Sequence, residues 1–140
     1  MADGSEPIAS EEILYRRVPP VWAGGPFPSP LAFTPRPEDV EGLSAYRAKY
    51  AKDIAEVAYN DRGTRYYVAV LQARELIAAG IQIVPSPDLK NGKPGHVHLP
   101  AINYHNRKTP EAINLINLLA IKLSKIQGPF PSAPAPHAPQ

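Results

Sequence analysis

The hydrophobic pattern changes period several times along the chain, and each change marks an element. Ile-Leu-Tyr-Arg-Arg-Val at 13–18 reads as a strand, cut off by Pro19 and Pro20. Leu43 to Arg47 reads as a second strand. Lys49 to Tyr59 reads as a helix, with Tyr50, Ile54, Val57 and Ala58 at the helical period and Lys49, Lys52, Asp53 and Glu56 facing out. Lys52 and Glu56 are four apart and can pair. Asn60-Asp61-Arg62-Gly63 then makes a turn. Tyr66 to Leu71 is strand-like, and Gln72 to Ala79 gives two helical turns closed by Gly80. Ile81 to Val84 and His96 to Leu99 are short strands, each ended by a proline.

The last helix is predicted over about 110–127. Thr109 suits the N-cap, Pro110 the first helical position and Glu111 the positive end of the dipole, while Gly128-Pro129 terminates it. Its apolar residues cover far more than the roughly 100° stripe of a surface helix. This excess marks Ile113, Ile116, Leu119 and Leu123 as a candidate interface with another protein or a second copy.

Proline placement sets the boundaries. Eight of the eighteen prolines precede Glu38, none lie from Glu38 to Val84, and five close the C-terminus, so regular structure runs uninterrupted only in the middle. The proline-rich segment up to Pro37 carries Trp22, Phe27, Leu31 and Phe33, which predicts a clasp lying across the core. Pro37 to Val40 reads as a helical turn stopped by Gly42. Residues 129–140 read as a disordered polyproline-like tail, and residues 1–12 as a flexible acidic N-terminus. Between them, residues 13–128 form one α+β domain with a small mixed sheet and about three helices.

Composition excludes several classes. With no Cys there is no disulfide framework, thiolate nucleophile or Cys-ligated metal. Apolar runs are too short for a membrane span. Asp3, Glu6, Glu11 and Glu12 precede the first basic residue, which is the reverse of an export signal, so a cytoplasmic protein is expected. The net charge of +2 conceals a gradient, but the C-terminal cations are spread out as Lys90, Lys93, Arg107, Lys108, Lys122 and Lys125. A nucleic-acid stripe would be denser.

Two clusters are candidates for chemistry. His96 and His98 share one face of a strand, with His105 a short loop away, and three imidazoles can hold Zn²⁺ with an open position. Against a metal, two His at i, i+2 also arise on half-exposed strands, and Pro94-Gly95-His96 reads as a tight turn with Gly95 supplying positive φ. The second cluster is Tyr-Arg: Tyr15-Arg16-Arg17, Tyr46-Arg47 and Arg65-Tyr66-Tyr67. Arg beside aromatic rings suits a phosphate or planar ligand, which nominates Arg16, Tyr46, Arg47 and His96 as ligand-binding. The same alternation also marks any one-sided sheet. The chain lacks a phosphate loop, a G-x-S-x-G elbow and H-E-x-x-H, and Ser29, Ser44 and Ser86 have no base beside them in sequence.

Leu14-Tyr15-Arg16-Arg17-Val18, Ser29, Ala32-Phe33, Pro35, Asp39, Leu43-Ser44-Ala45-Tyr46 and Pro94-Gly95-His96 give a layout over about residues 13–100. It resembles an uncharacterised group of small bacterial proteins. That resemblance takes in His96 but neither His98 nor His105, and it implies no particular activity. A fainter likeness is to ADP-ribosyltransferase-like toxins, which implies that Arg16 grips an NAD phosphate and that Tyr46 or Tyr50 stacks on nicotinamide. The chain departs from them in lacking a Ser-Thr-Ser strand and a late-strand Glu, since Glu75 falls on a predicted helix. The expectation is an interaction module or accessory subunit without catalytic activity, cofactor or metal of its own. The alternative is an NAD-binding transferase.

Overall fold

The alternation at 13–18 becomes strand β1 (Ile13–Val18) of the computed structural model, which describes residues 3–134. The further strands are β2 (Leu43–Arg47), β3 (Tyr67–Gln72), β4 (Val84–Pro85), β5 (His96–Leu99) and β6 (Ser124–Gln127). They form one six-stranded sheet in the order β4-β5-β2-β1-β3-β6. With helices α1 (Ile54–Ala58), α2 (Ala73–Ala78) and α3 (Pro110–Leu118), this is a small α+β fold. Every pairing is antiparallel, so the sheet is not mixed. No helical crossover returns a strand parallel to its predecessor, as a parallel pair would need.

One face of the sheet carries the main core. Leu14, Val18, Leu43, Ala45, Leu71, Val97 and Leu99 are fully buried there against Phe33, Leu76, Ile81, Ile116 and Leu119. The proline-rich segment does lie across this face as a clasp, but it is pinned by Phe33 with Ala32 and half-buried Trp22, while Phe27 and Leu31 are exposed. Burial of Phe33 alone contributes about 1.5–3 kcal/mol. On the other face α1 covers only part of the sheet, where Ala58, Tyr66 and Val68 cluster with Tyr15, Ile54 and Val57.

The C-terminal helix forms but ends at Leu123 rather than Gln127, its last turn widened to the π form. Thr109 caps α3 by accepting from Ala112 N, as predicted, but the α-helix stops at Leu118. A wide turn over Leu119–Leu123 follows, and the Ser124 hydroxyl closes it on Leu119 O at 2.7 Å. The chain then becomes β6, pairing with β3 and placing Ile126 opposite Ala69. Pairing with the open edge of β3 outweighs the local helical pattern because it satisfies two rows of backbone groups at once. Ile116 and Leu119 are thereby buried in the chain's own core. Leu123 is half-buried and packs against the same core, while Ile113 remains exposed.

Other differences have local causes. The 49–59 helix splits because Asp53 caps Glu56 N and starts α1 only at Ile54, leaving a single turn at Ala48–Tyr50. Ile81 and Ile83 are buried, yet only Val84–Pro85 reaches a ladder position. The acidic N-terminus is held against the fold from Gly4, which is buried against the Pro94 carbonyl, while Asp3 is exposed. The start of the C-terminal tail also packs: Phe130 joins the α1 cluster, and Ser132 O accepts from Asn60 N. The rest of that expected tail, 135–140, lies outside the described residues. Among the described residues no helix is long and apolar enough to cross a membrane.

Candidate functional site

Strand register decides which polar side chains meet. Leu14 pairs with Arg47 and Arg16 with Ala69 on the core face, whereas Tyr15 pairs with Tyr46, Tyr46 with His96 and Ser44 with His98 on the other. Arg16 and Tyr46 therefore lie on opposite faces. An NAD site built from both does not assemble.

Both core-face arginines are consumed internally. Arg16 donates to Ala32 O at 2.8 Å and Ser44 O at 2.7 Å, tying the clasp to β2. Burial pulls its guanidinium pKa down to about 10, so it is still a cation at neutral pH. Arg47 is 1% exposed and clamps the N-terminal segment. It makes two bonds to the Glu12 carboxylate at 2.8 and 2.7 Å and donates to the carbonyls of Gly4, Glu6 and Pro7. The hydrogen bond to Glu12 raises its pKa against the cost of burial. This demand for partners is why residues 4–12 are held. Lys49 and the Tyr50 hydroxyl grip Glu6, and they hold its carboxyl down at about 2. Burial raises the Glu12 pKa, but the bonds from Arg47 and Ala9 N outweigh it and leave it lowered.

The opposite face stays open toward one end of β2 and β5. A cleft of ≈ 240 Å³ lies beside it, walled by Tyr46, Tyr50, Tyr59 and Val57 and by the loop from Asn91 to Gly95. Arg17 enters it from β1, with its guanidinium 4.4 Å from the Tyr66 ring centroid and bonded to Tyr59 O. Lys93 lies 5.6 Å from the Tyr46 centroid. The loop is set by Asp88 and Lys93, which exchange backbone hydrogen bonds at 2.9 and 2.8 Å. Asn91 donates to the Asp88 carboxylate, holding its pKa below the usual value. Gly95 is not at positive φ. Glycine is needed there because a Cβ would meet Tyr50 Cβ at 2.9 Å and Arg47 O at 3.2 Å. A wider depression of ≈ 600 Å³ beside Ile8, Ile77 and Ile81 carries no ionisable side chain.

Next to the cleft, His96 is fixed at both nitrogens. Nδ1 lies 3.0 Å from Ser86 O, a carbonyl that only accepts, so neutral His96 carries its proton on Nδ1. Nε2, 3.1 Å from Ser44 Oγ, then accepts from the hydroxyl. Burial lowers the His96 pKa, partly offset by the Ser86 carbonyl and reinforced by His98. Tyr46 meets the imidazole edge-on at 5.4 Å, and His98 meets it at 4.7 Å.

The three-histidine metal site is not brought together. His96 and His98 are neighbours, but His105 packs beside Tyr104, and among the described residues no group of three ligating side chains converges. Of the sequence candidates, Tyr46 and His96 sit at the open face, while Arg16 and Arg47 serve the fold. Sequence reasoning missed Arg17, Lys93 and Ser44. The i, i+2 pairs Ser44/Tyr46 and His96/His98 were visible, but their meeting needs β2 to pair with β5, across some fifty residues. Comparison with family models, curated proteins and solved structures finds no match for this chain.

Proposed function

We propose that this protein is an interaction module, an accessory or regulatory subunit that seats an acidic, extended segment of another protein in the cleft beside β1 and β2. The observation that carries the reading is the pairing of two cations, Arg17 and Lys93, with tyrosine walls in a cleft of ≈ 240 Å³. Glu56 is the sole carboxylate in its lining, and Arg47 is already neutralised by Glu12. Arginine on an aromatic face suits a carboxylate or phosphate on a flat group. The cleft is smaller than the roughly 300–1,000 Å³ that holds a free ligand or cofactor. One or two side chains of a docked chain match it better than a dinucleotide. The burial of Ile116 and Leu119 favours this cleft over the last helix as the docking surface.

Fluorescence anisotropy with labelled decapeptides differing only at a central Glu, phosphotyrosine, Ala or Lys tests the reading. The anionic peptides should bind at least about tenfold more tightly than the Ala and Lys peptides, and added salt should weaken them. Lys93→Glu or Arg17→Glu should remove the difference. Equal binding of all four peptides, or a preference that survives Lys93→Glu, would overturn it.

A further inference from the structure

Ser44 and His96 satisfy the geometric requirement of a nucleophile and its base, and neither is used in the docking just described. The base is oriented by a third group: Ser86 N donates to His96 O at 2.9 Å, while His96 Nδ1 donates back to Ser86 O at 3.0 Å. This reciprocal pair locks the ring with its lone pair toward Ser44 Oγ, at 3.1 Å. Ser44 Oγ makes no other hydrogen bond among the described residues, and both side chains are only half-buried. We propose that Ser44 is an acyl-accepting nucleophile activated by His96, acting on carboxylic esters that carry an anionic group.

In the step, Ser44 Oγ bonds to the carbonyl carbon of the ester while its proton passes to His96 Nε2. The bond from that carbon to the alcohol oxygen then breaks, and the leaving oxygen takes the proton from His96. Water then gives a proton to the same imidazole as its oxygen bonds to the acyl carbon; the bond from that carbon to Ser44 Oγ breaks, Oγ takes the proton back from His96, and the carboxylic acid is released. Burial keeps the free imidazole neutral at pH 7, as a base must be. The groups that bear on its charge are His98 on the same strand and Asp88 and Lys93 on the adjoining loop. The anionic preference rests on the cleft reading, because Tyr46 touches the His96 ring and carries Lys93 over its own. The nucleophile itself does not rest on that reading.

A biotinylated fluorophosphonate probe on the full chain tests the nucleophile, since Ser44 Oγ would displace fluoride at phosphorus. Intact mass should show one adduct, mapped to Ser44, absent in Ser44→Ala and formed at least about 100-fold more slowly in His96→Gln. Ser29→Ala and Ser124→Ala should label as the parent does. No adduct, or labelling unchanged in His96→Gln, would overturn the proposal. Should Ser44→Ala fail to fold, ¹⁵N NMR of the parent chain decides: His96 must be neutral with its proton on Nδ1 at pH 7, and the Nε2–H form overturns the assignment. Hydrolysis of p-nitrophenyl hemisuccinate should exceed that of p-nitrophenyl butyrate, and Lys93→Glu should remove the preference. Loss of that preference with labelling intact would fault the cleft and leave Ser44 standing.

Discussion

The two faces of the sheet carry similar polar residues to different ends. On the core face, Arg16 and Arg47 spend their donors on the chain's own carbonyls and on Glu12, fastening the clasp and the N-terminal segment. On the opposite face, one residue along, Arg17 and Tyr46 line a cleft walled on one side by α1, and Ser44 and His96 meet next to it. A buried guanidinium has to find partners within the fold or it destabilises it. One at a cleft keeps capacity for something else. The same Tyr-Arg motif therefore means structure or site according to the parity of its position.

The largest test of this contrast is Arg47→Met, which leaves the Glu12 carboxylate, 8% exposed, without its partner. A loss of about 3–5 kcal/mol is expected in urea unfolding, with early proteolysis of the N-terminal segment. A loss under about 1 kcal/mol would show that the clamp does not hold the fold. Next, Leu119→Ala should cost about 2–5 kcal/mol, whereas exposed Ile113→Ser should change stability by about 0.5 kcal/mol or less. Were the two equal, the last helix would not be divided between core and surface as described. Third, Arg16→Leu should lose about 1–3 kcal/mol through the stranded Ala32 and Ser44 carbonyls, while Arg17→Leu leaves the melting temperature nearly unchanged and weakens anionic peptides.

The smallest effect is on pH. Glu6 and Glu12 have folded pKa values below the ordinary 4.5, so the unfolded chain takes up protons first as pH falls. Their stabilisation is complete above about 4.5 and is lost toward about 2, where Glu6 titrates. His96 is likewise lowered from 6.5, so its share is present above that value and is lost as pH falls through the folded one. Urea midpoints from pH 8 to 3 should show a shallow decline below 6.5 and a steeper one below 4.5. In His96→Gln only the upper decline should vanish.

Much of the domain was legible along the chain. Strands 13–18, 43–47 and 96–99, the Thr109 cap, the Gly80 helix stop and the clasp follow from local pattern, because alternation, caps and proline act over a few residues. The 110–127 segment departs from that reasoning at its end. Its helical pattern is real up to Leu123, but β3 offers the last four residues an edge that only the folded sheet creates. The N-terminus was misjudged for a similar reason, since its acids look solvent-bound until Arg47 is seen buried beneath them.

The sequence by itself determined the α+β class, the absence of thiol chemistry and the set of tyrosine, arginine and histidine from which a site can be built. Only the tertiary structure decided that Arg16 lies on the core face, that Arg17 and Lys93 face one cleft, and that Ser44 meets His96. Pleat parity and strand register sort side chains onto faces. Register is settled by burying one whole face of the sheet, a property of all the strands together.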